Sequence, residues 1–228
     1  MPSPRFYALV PAAGVGARSG ADRPKQYVEI AGRAMLAHTL AALAGVPRLT
    51  ASLVVISPED GQFEAAVPGF DAAWLARSGG ATRAKSVANG LAELTARGAR
   101  ADDWVLVHDA ARCLVRAEWI ERLIAACEAD AVGGLLAYPL PDTLKQADDG
   151  RVSATIERRG KWAAQTPQMF RLGLLAQALA HAGDAVTDEA SAIESLGHAP
   201  RLVEAPLENF KVTWPADFAL AERLLNTR

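Results

Sequence analysis

At 228 residues, with 50% hydrophobic and 22% charged side chains, the chain has the length and composition of one sizeable globular core. A formal net charge of -2 excludes broad electrostatic binding of nucleic acid, so any anion site must be a local concentration of Arg and Lys. Cys113 and Cys127 are too few for a disulfide framework, and no Cys/His cluster points to zinc. Met1 to Arg5 leads into a strand without a signal-peptide apolar core, and no apolar run nears the ~18 residues of a membrane span. A cytoplasmic protein with no membrane partner is expected.

The first element is Phe6 to Val10, an apolar run with the character of a buried strand. It opens into Pro11-Ala12-Ala13-Gly14-Val15-Gly16-Ala17-Arg18, with Pro24-Lys25-Gln26 a little further on. Side chains without bulk let backbone N–H groups approach an anion, and phosphate is the usual one. Arg18 adds a forked guanidinium and Lys25 a compact point charge. Gly14 and Gly16 would serve equally in a plain strand-to-helix turn. A dinucleotide fingerprint is disfavoured because its third glycine position holds Ser19, and no Gly-Lys-Ser/Thr makes a Walker loop.

Residues 34–44 follow as an Ala- and Leu-rich helix, stopped by Gly45 and Pro47. A second strand is expected at 52–56, a short helix at 59–66 and a brief strand at 74–76. Ser78-Gly79-Gly80-Ala81-Thr82-Arg83 then leads into a helix over 84–96. The strand 104–107 delivers His108-Asp109-Ala110-Ala111-Arg112 at its end, before a helix at 118–129 and a strand at 132–138. Alternating strands and helices imply a parallel sheet covered on both faces, with ligands at the carboxyl ends of its strands. The Gly14 loop, Gly79-Gly80, and Asp109 with Arg112 all fall at such ends.

From Pro139 the texture changes. Two β-prone runs flank Asp148-Asp149-Gly150 and predict a hairpin over about 139–158. A lone hairpin is marginal, so it packs on its own domain or exchanges with a second subunit. Residues 165–170 read as a loop, 172–182 as a helix, and Thr187 or Asp188 as the cap of another helix. A late strand is expected at 209–213 and a closing helix at 216–225.

The segments PAAGVGAR, PKQY, GGATRAKSV, HDAAR, PDTLK, TIERRGKWAAQTPQMF, TDEASA and NFKVTWP together resemble the 2-C-methyl-D-erythritol 4-phosphate cytidylyltransferase family over nearly the whole chain. The resemblance implies one domain, 1–228, with an α/β Rossmann-like nucleotidyltransferase fold: a mostly parallel sheet flanked by helices, plus a protruding hairpin arm. It implies transfer of a cytidylyl group from CTP to methylerythritol phosphate, with Mg²⁺ bound mainly through the CTP phosphates and no metal ligand assigned to the protein. Arg18, Lys25 and Lys211 would be catalytic. Ala12, Ala13, Gly14 and Gly16 would hold phosphates and ribose, and Gly80, Ala81 and Ser86 would line the cytosine pocket.

By the same resemblance Asp109, Ala110 and Arg112 would sit between the substrates, and Thr187 would complete the site. Thr143, Arg158 and Thr166 would hold the acceptor from the neighbouring subunit of a homodimer. Three positions depart from the family: Ala81 where an acid is frequent, Cys113 after HDAAR where Pro is usual, and Trp214 after KVT. The alternatives are a ribitol 5-phosphate cytidylyltransferase and a non-catalytic nucleotide-binding protein of the same fold. Retention of Arg18, Lys25 and Lys211 together counts against the second.

Overall fold

The computed structural model describes residues 3–14, 23–183 and 186–228. In chain order the strands are β1 (Phe6–Pro11), β2 (Glu29–Ile30), β3 (Arg33–Ala34), β4 (Leu49–Val55), β5 (Leu75–Ala76), β6 (Trp104–Val107), β7 (Gly133–Pro139), β8 (Leu144–Asp148), β9 (Arg151–Ile156), β10 (Trp162–Arg171) and β11 (Arg201–Glu204). The α-helices are α1 (Met35–Ala44), α2 (Phe63–Ala66), α3 (Arg83–Ala96), α4 (Ala117–Cys127), α5 (Leu172–Ala182), α6 (Glu189–Ser195) and α7 (Pro215–Asn226).

Among the described residues the main sheet has seven strands in the order β11-β7-β10-β6-β1-β4-β5. β1 is parallel to β4 and to β6, and alternate side chains of these strands face opposite layers. Ala8, Val10 and Leu106 meet Leu36 and Leu40 of α1 and Ile120, Leu123 and Ile124 of α4. Leu9, Val55 and Val107 meet Val87 and Leu91 of α3, Leu175 of α5 and Ile193 of α6. A strand buried on both faces has no polar face to alternate with, which is why FYALVP reads as a continuous apolar run. Each fully buried Leu or Ile contributes about 1.5–3 kcal/mol relative to exposure. A third cluster, with Ile30, Met35, Leu114 and Val212, lies beneath α7 and fastens the C-terminus near the carboxyl edge of the sheet.

The sheet is mostly parallel, as expected, with one reversal. β10 is antiparallel to both β6 and β7 and occupies the segment 165–170 that reads as a loop. Gln165, Thr166, Pro167 and Gln168 carry the polarity and the ring of a loop, yet the three polar side chains are buried and find partners within the fold. Pro167 has no N–H for a ladder, and the pairing with β7 lapses between Ala164 and Gln168 around it. The expected strand at 209–213 is the second correction. Phe210–Thr213 runs without a ladder, its one backbone bond to a strand-end loop running from Val212 N–H to Ala111 O (2.9 Å) while Lys25 and Asp217 side chains hold Val212 O and Thr213 N–H. The strand preceding α7 is the short edge strand β11.

The hairpin is present. β8 and β9 form a separate antiparallel pair, turned at Asp149 (φ 45°) and Gly150 (φ 72°), the two positive φ values that a two-residue primed turn requires. Its side chains are largely exposed, Val152 to 64%. A second small hairpin, β2–β3, turns at Ala31 and Gly32; strands of two residues leave no period to detect. Among the described residues no helix is long and apolar enough to cross a membrane.

Candidate active site

The segments that follow the carboxyl ends of β1, β5 and β6 open into a cavity of about 430 Å³ lined by Ala12, Ala13, Gly14, Lys25, Gly80, Ala81, Arg83, Ser86, Asp109, Ala110 and Lys211 among others. Ala12 leaves β1 with its N–H on Val55 O (2.8 Å), and buried Gln26 donates to its carbonyl (2.7 Å). The loop before α3 touches this one. A Cβ on Gly79 would lie 2.3 Å from Ala13 Cβ and 2.7 Å from Ile56 O, so only glycine permits that approach. The Ser86 hydroxyl accepts from Gly80 N–H (3.0 Å) and donates to Thr82 O (3.0 Å), while Thr82 caps α3 through Lys85 N–H (3.1 Å). Ser86 is therefore engaged in shaping the loop. Across the cavity Lys25 Nζ donates to Val212 O (2.8 Å).

A second cavity of about 190 Å³ adjoins the first and is lined by Arg112, Gln165, Thr166, Gln168, Thr187 and Asp188. Arg83, Asp109 and Lys211 line both, so these three form the wall between them. Arg83 Nε donates to Asp109 Oδ1 (2.8 Å), and its two terminal nitrogens take both oxygens of Glu189 (2.6 and 3.0 Å). Lys211 Nζ lies 2.9 Å from Asp109 Oδ2. Burial alone would raise the Asp109 carboxyl, but the charges of Arg83, Lys211 and Arg112 outweigh it and hold it well below the usual carboxylate range. Burial likewise disfavours the Arg83 cation, and Glu189 and Asp109 more than offset it.

Arg112 spans the smaller cavity by donating to Asn209 O (2.7 Å) and Ala164 O (3.2 Å). Its buried Nε–H has no hydrogen-bond partner among the described residues. His108 lies behind, fully buried, with its ring nitrogens 3.2 Å from Arg112 O and 3.1 Å from Thr166 Oγ1. A carbonyl only accepts, so Nε2 carries the proton and Nδ1 accepts from the Thr166 hydroxyl, which itself accepts from Asp109 N–H (3.0 Å). Asp188 caps α6 on Ser191 N–H (2.9 Å) and accepts from Gln168 (2.9 Å).

Ala12, Ala13, Gly14, Lys25, Gly80, Ala81, Ser86, Asp109, Ala110 and Lys211 converge on the larger cavity, and Arg112, Thr166 and Thr187 on the smaller. Gly16 and Arg18 lie outside the described residues. Thr143 and Arg158 are exposed on or beside the hairpin, Arg158 donating to Pro141 O, and line neither cavity of their own chain. Thr166, grouped with them in the sequence reading, is a correction: it is buried beside its own chain's Asp109. Sequence reasoning missed Arg83, Gln26, Gln165, Gln168 and Glu189. Arg83 left a signal, since a cation in the first turn of a helix opposes the dipole and calls for a buried carboxylate nearby. A larger groove of about 780 Å³ between α1, α2 and the β2–β3 hairpin carries none of the predicted residues that are described.

Small-residue loops at a parallel-sheet edge, a cavity of nucleotide size and convergent cations define a nucleotidyltransferase site on a Rossmann-like sheet. The family model for 2-C-methyl-D-erythritol 4-phosphate cytidylyltransferase matches residues 6–227, and the chain belongs to that family. A Chromobacterium violaceum protein of that name is 55% identical over 97% of this chain and 98% of its own. A bifunctional enzyme IspD/IspF of Albidiferax ferrireducens is 58% identical over 99% of this chain, which spans 54% of that longer protein. A crystal structure of a 4-diphosphocytidyl-2C-methyl-D-erythritol synthase is 41% identical with a TM-score of 0.84, covering 99% of this chain and 100% of its own. The Francisella tularensis 2-C-methyl-D-erythritol 4-phosphate cytidylyltransferase is 33% identical, TM-score 0.82, covering 96% and 99%.

Proposed function

We propose that the chain transfers a cytidylyl group from CTP to 2-C-methyl-D-erythritol 4-phosphate, releasing pyrophosphate and forming 4-diphosphocytidyl-2-C-methyl-D-erythritol for isoprenoid precursor synthesis. The observation that carries this reading is the pair of adjoining cavities, one of nucleotide size and one smaller, divided by Arg83, Asp109 and Lys211. CTP occupies the larger, its base against the Gly80–Thr82 loop and its phosphates along Ala12–Gly14 and Lys25. The acceptor phosphate enters the smaller, beside Arg112, Thr166 and Thr187.

The acceptor oxygen attacks the α-phosphorus and pyrophosphate leaves in line. A phosphate monoester has a second pKa near ~6, so the nucleophile is ionised at neutral pH and needs no general base. That suits a site whose one buried histidine has both ring nitrogens engaged. The protein's work is alignment and charge neutralisation by Lys25, Lys211 and Arg18. Among the described residues Asp109 is the one carboxylate lining the larger cavity, and Arg83 and Lys211 already hold its two oxygens. Such a donor set fits Mg²⁺ bound mainly through triphosphate oxygens, with Asp109 in reach. Mg²⁺ bound there supplies further neutralisation of phosphate charge.

The exposed hairpin, with Thr143 and Arg158 lining neither cavity of their own chain, supports a homodimer in which the partner subunit's Arg158 completes each acceptor site. Incubation of the protein with CTP, Mg²⁺ and methylerythritol phosphate should release pyrophosphate and give the cytidylyl product by ³¹P NMR. Product formation from ribitol 5-phosphate alone, or from neither polyol phosphate, overturns the assignment.

A further inference from the structure

Glu189 is 1% exposed, opens α6 and lines neither cavity, yet its carboxylate takes both terminal nitrogens of Arg83. From there charges alternate in one file: Glu189, Arg83, Asp109, Lys211, with contacts of 2.6–3.0 Å between successive members. A bidentate pair fixes the plane of a guanidinium, whereas a lysine ammonium on four methylenes has no orientation of its own. With its plane fixed, Arg83 presents Nε to one Asp109 oxygen and leaves the other to Lys211. Asp109 is further held by its N–H on Thr166.

We propose that Glu189 and Arg83 are positioning residues, which act through Asp109 to seat the Lys211 ammonium in the wall between the two cavities. The inference rests on the proposed transfer reaction and adds to it Glu189, which lines neither cavity and reaches both only through Arg83. Glu189 acts on turnover because Lys211 faces both cavities, and it leaves capture of CTP by the loops at the far side largely untouched.

Glu189→Gln keeps the shape and removes the charge; Arg83→Lys keeps the charge and removes the fork. Each should lower kcat about 10–100-fold, the range known for partners that orient metal ligands, while Glu189→Gln, at a residue lining neither cavity, changes the CTP Kd by calorimetry less than threefold. In a Lys211→Ala background Glu189→Gln should cost less than a further threefold. A folded variant with kcat within threefold of wild type, or an undiminished Glu189→Gln effect in the Lys211→Ala background, overturns the proposal. Arg83→Lys keeps a cation against both carboxylates, so it serves if Glu189→Gln melts. A readout independent of turnover is the ¹H–¹⁵N signal of the Lys211 ammonium, assigned by its loss in Lys211→Arg. It should move in either variant, and an unmoved signal overturns the positioning role even if wild type transfers no cytidylyl group. Wild-type turnover in the same assays tests the reaction separately.

Discussion

His108 is the residue whose environment is easiest to convert into a measurement. Burial lowers its pKa from the ordinary 6.5 to about 4, opposed by the nearby Asp109 charge. The folded state therefore keeps the ring neutral where the unfolded chain binds a proton. Stability from this residue is complete above pH 6.5 and declines as pH falls towards 4, by about 2 kcal/mol at pH 5 for a shift of this size. His108→Gln retains an acceptor for Thr166 and a donor for Arg112 O but cannot titrate. Urea unfolding of wild type at pH 7 and pH 5 should show that loss, and the variant should show a shallower one. Equal slopes for the two proteins would mean that His108 is charged in the fold.

At the scale of elements the site depends on two loops meeting. Gly79 donates to Ile56 O (2.9 Å) and brings the α3 loop against Ala13. Gly79→Ala places a methyl on both, and either the Ala12–Gly14 loop or the Gly80–Thr82 loop must retreat. The sheet beneath is left intact, so the variant should fold while its CTP Kd rises about tenfold or more, equivalent to ~1.4 kcal/mol. Calorimetric titration with CTP checks this; unchanged affinity would show that the loops close independently of one another. β10 is the other decisive element. As a reversed strand it carries Thr166 to Asp109 and Gln168 to the cap of α6, joining the smaller cavity to the centre of the sheet.

For the whole molecule the question is where Arg158 acts. It sits at the base of a hairpin with little core of its own, outside both cavities of its chain. In a two-fold dimer each site would draw Lys25 from one chain and Arg158 from the other. Lys25→Ala should lower turnover about 10²–10³-fold, the scale for one transition-state stabiliser, and Arg158→Ala should raise KM for the acceptor far more than for CTP. Mixed chains that exchange subunits should recover activity, since a heterodimer contains one site with both residues. Heterodimers confirmed by mass spectrometry but inactive would confine Arg158 to its own chain or to no site.

The sequence by itself determined the alternating strands and helices, the Asp149-Gly150 hairpin and the loops that carry Lys25, Gly80 and Asp109. Those features are local: an apolar run, a turn dipeptide or a cluster of small residues is written within a few neighbours. Composition misled wherever burial was supplied from a distance. Gln165-Thr166-Pro167-Gln168 reads as a loop because four loop-like residues adjoin, and becomes a central strand because Asn209, Asp188 and His108 satisfy its polar groups from remote segments. Phe210–Thr213 reads as a strand by propensity and is none, because no neighbouring strand offers it a ladder. Tertiary structure alone decided that Arg83 and Glu189 belong to the site. An ion pair spanning 106 positions leaves no trace in spacing, and only the fold brings a buried carboxylate to the first turn of α3.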